Sequence, residues 1–141
     1  MYNLKHRFLA FLGFVFFTFL SLIISFFAFE SLFGYLHKMP VFVFSAWSFF
    51  AALSPLVVMP FLLMVVPVII YGRKVSIKLG KQLMVFSFLS LVLIVVLMIL
   101  FSTLYKEHLN NQGYTRCQGV PMGWTPGMAT KYAIDASKCS D

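Results

Sequence analysis

The chain has 141 residues, of which 61% are hydrophobic and 11% charged, and its formal net charge is +7. Soluble domains carry about 25% charged residues, so this composition excludes a soluble globular protein and indicates a membrane protein. The basic residues flank apolar segments rather than forming one large patch, which argues against nucleic-acid binding.

The first apolar run, residues 8–29, contains no charged residue and is long enough to cross a bilayer as a helix. Lys5 and Arg7 precede it. It ends in Phe29 and Glu30 without the small residues of a signal-peptidase site. We therefore predict a retained membrane helix.

The second apolar run, residues 41–71, is too long for one perpendicular span and too short for two spans with a turn. Pro55, Pro60 and Pro67 lie inside it, and each removes a helical hydrogen bond, so we predict a kinked or tilted span. Tyr71 and Gly72 are predicted to close this helix. The third predicted span covers residues 83–105, and residues 1–105 together form the predicted membrane domain.

A basic segment, residues 71–82, separates the second and third spans. It contains no carboxylate and four cations: Arg73, Lys74, Lys78 and Lys81. A charge at the bilayer centre costs roughly 2.5–3.5 kcal/mol on insertion scales, so we predict a loop outside the hydrocarbon. Clustered Lys and Arg mark the cytoplasmic side. These four residues therefore predict a cytoplasmic N-terminus and a periplasmic tail.

The tail, residues 106–141, is polar and rich in Gly and Pro, so we predict turns with short helical or strand pieces. Its two cysteines, Cys117 and Cys139, are then in an oxidising compartment, which favours a disulfide between them. Two free thiols are the alternative. The spacing lacks the Cys-x-x-Cys or paired-His pattern of a zinc site, so we expect no bound metal.

The tail contains a series of short motifs: Gly113-Tyr114, Cys117, Gly123-Trp124-Thr125-Pro126, Lys131-Tyr132 and Cys139. Together they resemble the tail motifs of a family of small enterobacterial inner-membrane proteins. Proteins of this family, domain of unknown function 1240, similarly have three apolar spans and a short tail with two cysteines. The resemblance implies the same fold and compartment, namely an all-α inner-membrane protein, and it implies no activity.

Residues for catalysis or transport are missing from the sequence. The nucleophile-elbow, zinc-protease and phosphate-loop motifs are absent, so we expect neither an enzyme nor a cofactor. His6, His37 and His108 fall in separate segments and are interpreted as interfacial polar residues; a site shared by His37 and His108 has no support from spacing. No ionisable residue lies inside a predicted span, which argues against a pump.

Two sets of residues are candidates for binding a protein partner. The first lies at helical spacing in the spans, where small residues allow close helix approach: Ser21, Ser25, Ser45 and Ser48. The second is an aromatic set in the tail, of the kind enriched at interface hot spots: Tyr114, Trp124 and Tyr132. The alternative for the first set is packing among the three helices. The alternative for the second is packing of the tail against the membrane interface.

The sequence therefore favours a binding protein in the bilayer with a protein partner, without nucleic acid and without an evident small-molecule substrate. The leading hypothesis is an immunity protein of the inner membrane, which neutralises a toxin or secreted effector that acts there, as a pore-former does, or in the periplasm. The alternative is a small structural or regulatory subunit of a larger membrane complex.

Overall fold

A computed structural model describes residues 2–37 and 39–139. Residues 140 and 141 of the predicted tail, and the first residue of the predicted membrane domain, lie outside the described residues. The elements in chain order are α1 (Leu4–Gly34), β1 (Val41–Phe44), α2 (Trp47–Leu53), α3 (Pro55–Tyr71), α4 (Ile77–Asn111), β2 (Thr115–Arg116), β3 (Thr130–Ala133) and a 3₁₀ helix (Ala136–Cys139).

Within the described residues, three helical segments are long and apolar enough to cross a membrane: α1, the consecutive pair α2–α3, and α4. The prediction of a mostly helical, multi-pass membrane protein is thereby confirmed. Two helices are longer than the spans predicted for them: α1 continues to Gly34 and α4 continues to Asn111.

The second span is interrupted at Ser54, between α2 and α3. Pro55 follows as the first residue of α3, where its missing N–H leaves no helical bond unmade. Pro60 and Pro67 lie inside α3, which continues past both to Tyr71. Gly72 then closes α3 in the left-handed conformation (φ 63°), as the sequence predicted.

The start of the second span was predicted wrongly. Val41–Phe44 is a strand, and the helix begins only at Trp47. Valine and phenylalanine favour strands, and β1 pairs antiparallel with β3, placing Val41 opposite Ala133. The sheet order is β1-β3-β2, so the fold is not all-α.

The loop between the second and third spans is also shorter than the predicted one. α4 begins at Ile77, so Lys78 and Lys81 lie in its first turns and only Arg73 and Lys74 precede it. Ser76 starts the helix, because its hydroxyl accepts a hydrogen bond from the Leu79 N–H at 3.3 Å.

The chain divides into two compact units, which differ from the predicted division between residues 105 and 106. The first consists of the chain up to Phe27 and Ala52–Ile94. Here the Ser25 hydroxyl donates to the Ala52 carbonyl oxygen at 2.7 Å, and the Ser87 hydroxyl to the Val57 carbonyl oxygen at 2.9 Å. Such bonds join helices where water is excluded.

The second unit consists of Ala28–Ala51 and the chain from Val95 onward. Its core is largely aromatic, and the buried members are Phe44, Leu109, Tyr114 and Tyr132. The phenylalanine comes from β1, the leucine from α4 and Tyr132 from β3. This core therefore fixes the small sheet against helix ends of the same unit.

Candidate functional site

The disulfide lies in the second unit and joins Cys117 to Cys139, which confirms the predicted pairing. Cys117 follows β2 and its N–H donates to the Lys131 carbonyl oxygen at 2.9 Å. The 3₁₀ helix after β3 brings Cys139 to within 5.3 Å of Cys117, Cα to Cα. That separation lies in the usual range for a disulfide.

Asp135 directly precedes the 3₁₀ helix that carries Cys139. Its carboxylate accepts a hydrogen bond from the Ser137 N–H at 3.2 Å, and its carbonyl oxygen accepts one from the Lys138 N–H at 3.0 Å. The bonds from Ser137 lower the pKa of Asp135, since they favour the ionised carboxylate.

The aromatic set predicted in the tail is divided between core and surface. Tyr114 and Tyr132 are 6% and 4% exposed, so their proposed role in contacting a partner is wrong. The Tyr114 hydroxyl donates to the Met39 carbonyl oxygen at 3.0 Å, and Tyr132 stacks on Phe42. Trp124 is 40% exposed and stays available to a partner.

The serines predicted to meet a partner's helix are used inside the protein. The Ser45 hydroxyl donates to the Met128 carbonyl oxygen at 2.8 Å, and its N–H donates to the Tyr35 hydroxyl oxygen. The Ser48 and Tyr35 hydroxyls are 3.2 Å apart. Ser25 bonds Ala52 within the first unit. Intramolecular packing, the alternative interpretation, therefore accounts for these three serines.

Ser21 differs from the other three. Its hydroxyl oxygen is buried and has no hydrogen-bond partner within the described residues. Its neighbour one turn earlier, Thr18, donates instead to the Phe14 carbonyl oxygen of α1 at 2.7 Å.

The surface best placed for a partner is residues 118–128, hereafter the exposed loop. Gly119, Gly123 and Gly127 have positive φ there, and the loop makes two tight turns. Exposed apolar side chains follow one another along it: Val120, Met122, Trp124 and Met128. Met122 is fully exposed, at 101% of its reference area.

Both ends of the exposed loop are fixed. Gln118 follows the disulfide-bonded Cys117, and Met128 accepts the bond from buried Ser45. A concave surface of about 580 Å³ borders the loop, lined in part by Val43, Val120 and Met122. An ordered loop loses less conformational entropy on binding than a free tail.

A second concavity, of about 340 Å³, brings together two of the histidines. His37 and His108 line it, with Tyr35, Tyr105 and Gln112 among the other residues. No spacing signal in the sequence predicts this convergence, because it depends on the end of α1 meeting the end of α4. No group of three metal-ligating side chains occurs within the described residues.

The first unit carries the four cations that were predicted to determine the topology. Arg73, Lys74, Lys78 and Lys81 are all exposed. Arg7 reaches α3, where its Nε and Nη2 donate to the carbonyl oxygens of Ile69 and Ile70.

Comparison with known proteins identifies the family. The profile described as "Protein of unknown function (DUF1240)" matches residues 42–140, well over half of the chain. The chain belongs to the DUF1240 family. Searches of curated proteins and of solved structures gave no significant match.

The DUF1240 match contains β1 from Phe42 onward, both later strands and both bridged cysteines. It therefore includes the whole exposed loop and the Ser45 bond that fixes it. Most of the sheet and loop of the second unit thus lies within the region that defines the DUF1240 family, whose description assigns no activity.

Proposed function

We propose that this protein is an immunity protein of the bacterial inner membrane. It binds and neutralises a toxin or secreted antibacterial effector that acts at the inner membrane or in the periplasm. The observation that carries the proposal is the exposed loop, which presents Met122 and Trp124 on a base fixed by a disulfide.

Charge and redox chemistry support the proposed compartment. By the positive-inside rule, the basic segment favours the cytoplasmic side. One span, α4, separates this segment from the tail, so the tail is expected on the opposite side of the membrane. Disulfides persist in the oxidising periplasm and are rare in the cytosol. Both considerations support an exposed loop that faces the periplasm, where it can meet a toxin before or during membrane insertion.

The loop is a better binding surface than the span faces. Ser25, Ser45 and Ser48 already satisfy their hydroxyls within the chain, so a partner helix would gain no hydrogen bond from them. Trp and Met are enriched in protein interfaces, and Trp dominates hot spots. Methionine also adapts its shape to a partner.

The decisive experiment is a competition between sister cells with and without this gene, in the presence of the toxin encoded beside it. Cells that carry the gene should survive and deleted cells should not. Trp124→Ala and Met122→Asp should each weaken protection at an unchanged level in the membrane. Truncating an interface hot spot costs about 2 kcal/mol or more, which is roughly a 30-fold loss of affinity.

Ile134→Ala is the matched control, because Ile134 is also an exposed apolar residue of the second unit but lies outside the loop. Protection should survive this change. If deletion leaves competition unchanged and no toxin gene lies nearby, the immunity proposal fails and the protein is better described as a subunit of a membrane complex.

A further inference from the structure

The charge of the first unit is entirely of one sign. Among the residues up to Phe27 and in Ala52–Ile94 the sequence has six Lys and Arg side chains and no carboxylate. The cations all belong to two stretches, residues 5–7 and 73–81. Hydrogen bonds bring these stretches together, because the Tyr2 N–H donates to the Gly72 carbonyl oxygen at 2.9 Å.

An apolar groove of about 590 Å³ begins at this basic end, between α1 and α3. Its lining residues are Leu4, Lys5, Arg7, Phe8, Phe11 and Ile69. Two cations therefore stand beside a groove whose other walls are aliphatic and aromatic. Phe8 and Phe11 are 61% and 47% exposed, so their rings are open to a ligand.

Arg7 is held in place at the rim of the groove. Its Nε donates to the Ile69 carbonyl oxygen at 2.9 Å and its Nη2 to the Ile70 carbonyl oxygen at 2.6 Å. These carbonyls belong to the last turn of α3, where the helix offers no partner. A guanidinium has five N–H donors, so others remain for a phosphate, which it recognises with a planar fork.

We propose that this groove binds an anionic phospholipid. The lipid phosphate lies against Lys5 and Arg7, and an acyl chain follows Phe8, Phe11 and Ile69. A ligand with an anionic head and an apolar tail matches both halves of the groove. Free phosphate would leave the apolar walls uncovered, and a basic pocket between membrane helices is the usual form of an anionic headgroup site.

The test uses the full chain in detergent and native mass spectrometry with two lipids of identical acyl chains, phosphatidylglycerol and phosphatidylcholine. The wild-type protein should retain phosphatidylglycerol preferentially, in a one-to-one complex. Lys5→Gln should reduce that retention roughly fivefold, since one basic residue near an anionic lipid surface contributes about 1 kcal/mol.

Two control variants separate a specific site from general basic charge. Lys74→Gln removes the same charge from the same unit but does not line the groove, and it should leave retention unchanged. Phe11→Ala should weaken retention, whereas Phe19→Ala, an exposed phenylalanine of α1 outside the groove, should not. Equal retention of both lipids, or equal losses in Lys5→Gln and Lys74→Gln, would overturn the proposal.

Discussion

Ser45 and Met128 are 83 residues apart in the sequence and are joined by a hydrogen bond of 2.8 Å from hydroxyl to carbonyl oxygen. Ser45 is fully buried and directly follows β1, while Met128 is the last residue of the exposed loop. The bond therefore fixes one end of the loop to the base of the second unit.

Ser45→Ala should loosen the exposed loop. It removes the donor and leaves a carbonyl oxygen without its partner, at a cost of about 1–3 kcal/mol. Hydrogen exchange of the amides in residues 118–128 should accelerate, and thermal unfolding in detergent should begin earlier. Thr103→Val is the control, because the Thr103 hydroxyl bonds only its own helix, at the Leu100 carbonyl oxygen. A loop that exchanges equally fast in both variants would contradict this role of Ser45.

Cys117→Ser and Cys139→Ser should each lower the stability of the second unit by about 3 kcal/mol, because the crosslink restricts the unfolded chain. The double variant should be no worse than either single one, since one bond is removed once. Non-reducing peptide mass analysis should find the two tail peptides linked in wild-type protein. Free thiols in protein taken from membranes would refute the pairing.

The second unit should lose stability at alkaline pH through Tyr132. Burial raises the pKa of Tyr132 above its ordinary 10.0, although Arg116 lowers it in part. The unfolded chain therefore releases this proton at a lower pH than the folded one. The contribution of Tyr132 to the stability of the folded state is therefore fully present below pH 10. It is lost as the pH rises through the pKa that Tyr132 has in the folded protein. Tyr132→Phe should flatten the fall in unfolding temperature between pH 9.5 and pH 11.5, measured against wild type to cancel lysine titration. Parallel curves for the two proteins would exclude this effect.

Gly72→Ala should destabilise the first unit. Gly72 closes α3 with φ 63°, a conformation that costs an L-residue about 1–2 kcal/mol. An added Cβ would meet only ordinary contacts, the nearest being Arg7 Cδ and the Tyr2 carbonyl oxygen, each at 3.5 Å, so the backbone conformation dominates the cost. Gly13→Ala is the control, and it should have the opposite effect on stability. A Cβ there meets nothing within 4 Å inside α1, and alanine is the better helix former. Unfolding temperatures in detergent should therefore move in opposite directions, and a shift of the same sign would contradict the assignment.

Reporter fusions test the proposed orientation. A reporter that needs the periplasm should be active after the last residue and inactive after Ser76, because four cations surround that position. The reverse pattern would invert the topology and place the disulfide in the cytosol.

The sequence alone was sufficient to predict the membrane helices, but it was insufficient to predict the sheet. Length and hydropathy alone determine that α1 and α4 can span a bilayer. Val41–Phe44 lies in one continuous apolar run with α2, and hydropathy cannot separate a buried strand from a helix in such a run. Pairing with β3 decides the conformation, and that partner is remote in the sequence.

The same remote pairing explains the error on the candidate binding residues. Tyr114 and Tyr132 occur in a polar, glycine-rich tail, where aromatic residues suggest an exposed contact surface. The strand β1 and the end of α4 provide the core that buries them. Trp124 stays exposed because it belongs to the loop between strands, and its contact with a partner stays a prediction. The disulfide was predictable because the chain has only these two cysteines.

The order of the strands has a consequence for synthesis. The ribosome makes β1 before α2, α3 and α4, whereas β3, the central strand to which β1 pairs, is made after them. Throughout that interval Val41–Phe44 is a nascent, uncharged strand with an open edge, the kind of segment on which foreign strands add. A chain that stops short of β3 would keep this edge open permanently. Premature termination in the tail is therefore expected to produce aggregates, rather than a shortened but well-folded form of the protein.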